Sequence, residues 1–201
     1  MFFSKIFTGL ALASTAMSAA TPQQIADGIR SITQKSQALQ APAQSITVLN
    51  APLIVIGQGP FPTLITGFQD IVSTATALVA QLPGSQPIRK RDDEERQHAR
   101  DLVARGPDAD LVFSSFREFV RVHQTLLNIL IGKAGVLAKV PVIGQPVATV
   151  LRSVEGVVDT IAITLINLLQ THSNDVASDA NSLGNTLTLT IDSYETISLG
   201  L

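Results

Sequence analysis

His98, His123 and His172 are the residues of this chain best suited by type to proton transfer or metal binding. No two of them stand in the His-x-x-x-His spacing that sets two imidazoles on one helix face. With no cysteine in 201 residues, thiolate nucleophiles and cysteine-ligated metals are closed as well, so no metal and no cofactor is expected. Gly-x-Ser-x-Gly is absent, and Gly57-Gln58-Gly59 runs into Pro60-Phe61-Pro62, which is not a dinucleotide loop. The acids Asp92 to Glu95 are too crowded to divide into a general acid and a general base. The expectation is a protein that is not an enzyme.

Two other polar features carry alternatives. His123 falls on an apolar helical stripe, one turn after Phe119 and one before Leu127. It is either a satisfied core residue or a hydrogen-bond donor to a ligand, with Gln124 and Lys133 as other polar partners. Lys90-Arg91 is a dibasic pair after Pro87, read as part of a solvated linker or as a kexin-type cleavage site. Arg152, Glu155 and Asp159, three and four apart, read as a salt-bridged outer face.

The composition supplies the frame for these residues. Hydrophobic residues make up 45% of the chain, aromatic ones 4% and charged ones 15%, with a formal net charge of −2. Such a balance exerts no general pull on nucleic acid, so no nucleic-acid partner is expected. Thirteen of the charged residues sit between Arg89 and Asp110, which marks a charged linker at about 86–110 and leaves the rest charge-poor. No Asn-x-Ser/Thr sequon occurs, so N-glycosylation is not encoded.

Residues 1–20 read as a secretory signal: Lys5, an apolar run from Ile6 to Ala13, and Ser18-Ala19-Ala20 before the expected cleavage point. Beyond it, long uncharged stretches are broken by Pro, Gly, Gln or Asn, and no transmembrane segment is expected. The mature chain, residues 21–201, then holds five amphipathic stretches. Thr21-Pro22-Gln23-Gln24 opens the first as a capping box, its stripe runs from Ile25 to Ile46, and Pro42 should kink it. The second runs from Phe61 to Leu82, the third opens with Asp110 as cap, the fourth with Pro146, and the fifth with Ser173 or Asn174. The alternation between Thr186 and Ile191 also suits a strand. Gly132 to Pro146 reads as an apolar connection, either packed over the end of the bundle or acting as a lid. The fold class predicted is all-α: a single-domain bundle of about five amphipathic helices over 21–201.

The ordered set Thr21-Pro22-Gln23-Gln24-Ile25, Leu39-Gln40-Ala41-Pro42-Ala43-Gln44-Ser45-Ile46, Phe119-Val120-Arg121-Val122-His123-Gln124-Thr125-Leu126-Leu127-Asn128, Leu130-Ile131-Gly132-Lys133-Ala134-Gly135 and Leu151-Arg152-Ser153-Val154-Glu155-Gly156-Val157-Val158-Asp159 resembles the fungal hydrophobic-surface-binding protein A and cell-wall galactomannoprotein family. The resemblance implies a secreted, extracellular or wall-associated protein, with fatty acids or other apolar small molecules held between helices. It implies no catalytic residue. Helices of about 20 residues span roughly 30 Å, enough to sheathe a long acyl chain. A lipid-binding interior on this reading would be lined by Leu64, Phe68 and Ile71, by Phe116, Phe119, His123 and Leu127, and by Val158, Ile161 and Leu165. The alternative is an adhesive or structural wall protein that adsorbs to hydrophobic surfaces or wall polysaccharide without a dedicated cavity.

Overall fold

The computed structural model describes residues 20–49, 53, 57–82, 105–137 and 143–198. These form an all-α bundle: α1 (Pro22–Ala38), a short α2 (Gln40–Gln44), α3 (Pro60–Gln81), α4 (Arg105–Leu137), α5 (Gly144–Leu168) and α6 (Ser173–Ser198). The signal segment up to residue 19 and the dibasic pair Lys90-Arg91 lie outside the described residues.

Local chemistry explains the boundaries. Thr21 Oγ1 accepts from the Gln24 backbone N–H at 3.2 Å, and Gln24 Oε1 accepts from the Thr21 N–H at 2.8 Å, so the expected capping box is formed and Pro22 begins α1. Pro42 breaks the helix four residues upstream of itself. Its missing N–H is the one the Ala38 carbonyl would have received, and α1 ends at Ala38. Gly59, at φ +86, turns the chain into α3, a backbone setting that favours glycine.

Several expectations are corrected. Pro60 and Pro62 fall in the first turn of α3 and do not interrupt it, so its 22 residues are long and apolar enough to cross a membrane. Here α3 instead packs against α1 and α5, burying Phe61, Leu64, Phe68, Ile71, Ala75 and Leu78. Asp110 is not a cap, because α4 starts five residues earlier at Arg105 and takes in the end of the charged segment. Gly132 to Leu137 continue α4 rather than opening a connection, and α5 begins at Gly144, ahead of Pro146. The stretch Thr186 to Ile191 is helical. Thr186 and Thr190 each turn their hydroxyl back to the carbonyl one turn earlier, at 3.0 and 2.7 Å, so these residues satisfy themselves within α6. The Arg152 guanidinium donates to Glu195 on α6, tying two helices together rather than bridging to Glu155 or Asp159 along its own.

The packing order is a ring. Around it, α1 lies against α4, α4 against α6, α6 against α5, α5 against α3, and α3 against α1, while α2 bridges α3 and α4. Side chains of all five long helices meet inside the ring as one contiguous core.

Candidate functional site

The ten residues expected to line an interior all lie in that core. Leu64, Phe68 and Ile71 come from α3, Phe116, Phe119, His123 and Leu127 from α4, and Val158, Ile161 and Leu165 from α5, and every one is buried. The ring adds two walls that the sequence reading left out. Ile25, Ile29, Ile32 and Ser36 enter from α1, and Leu183, Leu187, Ile191 and Tyr194 from α6. Tyr194 donates from its hydroxyl to the Leu130 carbonyl at 3.1 Å, and burial pushes its phenol above the ordinary range.

His123 is the focal polar group. It is fully buried, with Phe119 at 5.3 Å between ring centroids and Phe68 edge-on at 6.3 Å. Its Nδ1 lies 2.8 Å from the Ser36 hydroxyl of α1. The same hydroxyl donates to the Ile32 carbonyl at 3.1 Å. Among the described residues, nothing hydrogen-bonds the His123 Nε2, although it is buried. Burial pushes the imidazole down to about 4, and the ring is therefore neutral in mildly acidic and neutral solution. A neutral ring with one nitrogen fixed and the other open is a hydrogen-bonding point inside an otherwise aliphatic and aromatic space.

The other polar candidates are committed elsewhere. Gln124 donates to the Ser182 and Thr186 hydroxyls of α6 at 2.9 and 3.2 Å, and the Lys133 ammonium donates to the Ile46 carbonyl at 2.9 Å. His172 stacks on Phe113, with centroids 4.5 Å apart, and its Nε2 lies 2.8 Å from Asp110 Oδ1. No group of His, Asp or Glu among the described residues is arranged to hold a metal ion.

Among the described residues, two open grooves mark the outside of the bundle. One of about 500 Å³ lies between α3 and α5 and is lined by Ile65, Val72, Pro146 and Val150 among others; the second, of about 230 Å³, runs between α5 and α6 past Ala162, Ala177 and Gly184. None of the ten expected residues lines either groove. Ser36, which sequence reasoning missed, carried a detectable signal. The stripe Ile25, Ile29, Ile32 calls for an aliphatic residue at the next turn, and a serine stands there.

No protein-family model matches the chain, and no curated protein sequence matches it. In solved structures the fold is similar to that of AfMP4p, an Aspergillus fumigatus mannoprotein, in its complex with palmitic acid. The likeness has a TM-score of 0.67 and 12% sequence identity, and it covers 86% of this chain and 99% of that one. At this identity the relationship is one of fold.

Proposed function

We propose that this protein is a secreted or wall-associated binder of fatty acids or similar single-chain apolar molecules, without catalytic activity, related to the hydrophobic-surface-binding and galactomannoprotein type. The ligand would replace side-chain contacts along the centre of the ring, among α3, α4 and α5. The observation that carries the reading is the ring of five helices packed around one contiguous apolar core, on a fold similar to that of a mannoprotein that holds palmitic acid. The ten residues from Leu64 to Leu165 named above are the proposed lining, with Ser36 and Tyr194 added.

The rival reading, adsorption to hydrophobic surfaces, draws on one observation: Val48, Leu49 and Leu53, beside the junction of α2 and α3, are exposed, Leu49 at 91%. Native mass spectrometry of the secreted protein, followed by titration of the delipidated chain with a fluorescent fatty acid, separates the two. Bound lipid in the first and saturable binding in the second support the interior site. Protein that yields no lipid and shows no saturation, yet coats a hydrophobic surface and loses its tertiary signal, would instead be a surface adsorber.

A further inference from the structure

The hydrogen-bond partners of Ser36 favour one form of the His123 ring. Serine has one hydroxyl proton, and at 3.1 Å it is given to the Ile32 carbonyl. The contact of 2.8 Å between Ser36 and Nδ1 is then made by an N–H on Nδ1 donating to the serine oxygen. The opposite arrangement would spend the serine proton on Nδ1 and leave an N–H on Nε2 buried without an acceptor, the rarer and costlier kind of orphan. On that assignment Nε2 presents a lone pair, and nothing among the described residues hydrogen-bonds it.

A lone pair accepts hydrogen bonds and repels anions. We propose that His123 Nε2 receives the ligand's head group as an acceptor, so that the occupant enters carrying an uncharged O–H, as a long-chain alcohol or an undissociated carboxylic acid, and not as a carboxylate. This rests on the lipid-binding reading above and narrows its ligand class.

The surroundings agree. Among the described residues the buried polar set is Thr33, Ser36, Ser115, His123 and Thr190, which includes no cation to meet a carboxylate. Charged groups on the helices around His123 are turned to surface partners. Lys35 of α1 pairs with Asp70 of α3, Arg117 of α4 with Asp179 of α6, Arg121 with Glu118 on α4, and Arg152 of α5 with Glu195 of α6. Lys133 is held by the Ile46 carbonyl, and the buried Tyr194 by that of Leu130. Burial alone perturbs His123, with no charged neighbour contributing. An unpaired carboxylate placed there loses its water and gains no counter-ion.

The test titrates the delipidated full secreted protein with dodecanoic acid, 1-dodecanol and methyl dodecanoate between pH 6 and 8. The alcohol is expected to bind within twofold of one value across the range, and about fivefold more tightly than the ester, which has no proton to give. The acid is expected to weaken about tenfold per pH unit, because each ligand must take up a proton to enter. His123→Phe should make alcohol and ester equal. Ser36→Ala frees Nδ1 and allows the other tautomer, so the acid's decline should shrink below threefold per unit; this variant carries the test alone should His123→Phe not fold. An acid affinity that is flat from pH 6 to 8 in the wild type, or an alcohol no tighter than the ester, overturns the proposal. If none of the three probes binds, the lipid-binding reading itself fails and this inference goes with it.

Discussion

The Ser36 hydroxyl on α1 and the His123 Nδ1 on α4 meet at 2.8 Å across 87 positions of sequence, joining the two helices at the point where each apolar stripe carries a polar residue. The pair lies in the middle of a buried surface, so its protonation is coupled to folding as well as to any occupant.

Acid should weaken the bundle through His123. The folded ring takes a proton only near pH 4, whereas the unfolded one does so near its ordinary 6.5. Between those values the unfolded chain binds the extra proton, so stability is full above about pH 6.5 and declines as the pH falls toward 4, by about 3 kcal/mol. Urea unfolding of the wild type and of His123→Leu at pH 7 and 4.5 checks this. The variant should lose distinctly less on acidification, and equal losses would remove His123 from the account.

Glycine substitutions should divide by what stands opposite. A Cβ at Gly67 of α3 would come 2.3 Å from Leu39 Cδ2 and 3.1 Å from its Cγ, so the whole buried side chain must move. Gly67→Ala is expected to cost about 1–3 kcal/mol, and the cost should largely disappear in a Leu39→Ala background. A Cβ at the exposed Gly156 of α5 meets nothing within 4 Å, and Gly156→Ala should stabilise by up to about 1 kcal/mol through helix propensity. Thermal melts of the four variants are sufficient.

Phe116 is fully buried where α4 faces the ring's interior. Its truncation to alanine should cost about 3–5 kcal/mol, the usual toll of a lost core aromatic. If this position borders the acyl path, saturating 1-dodecanol will raise the melting temperature of Phe116→Ala more than that of the wild type, by occupying the space released. Equal increments would place Phe116 away from the path.

Ligand should also act on the wild type in proportion to its affinity. At a free concentration one hundred times Kd, a ligand bound only by the folded chain adds about 2.7 kcal/mol. For a domain of this size that corresponds to about 5–10 °C in Tm. A scan of dodecanol concentration by calorimetry should follow the logarithm of free ligand, and a melting temperature indifferent to it would count against an interior site.

The helices were legible because their stripes are long. The recurrence from Phe61 to Leu82 and the capping box at Thr21 translate directly into α3 and α1. Boundaries were less so where two local rules competed. Asp110 has the chemistry of a cap, yet α4 begins at Arg105 with Pro107 in its first turn, where a missing N–H leaves no intrahelical bond unmade, and the Asp110 carboxylate meets His172 instead. Gly132 and Gly135 suggested a break, but α4 simply carries them on positions with open space. Among the site residues, the apolar lining follows from periodicity, whereas the partner of His123 does not. Nothing local to Ser36 announces a histidine on another helix, and only the ring order, a tertiary fact, brings the two polar exceptions together.

Tyr194 is the only tyrosine in a chain without tryptophan, and it sits wholly inside the bundle. Excited to the red of phenylalanine absorption, the protein therefore emits from one side chain, and that emission comes from the interior without a surface background. With the phenol donating to Leu130 and held above its ordinary range, tyrosinate absorbance in an alkaline titration should appear when the helices separate, making a single side chain an optical count of closed rings.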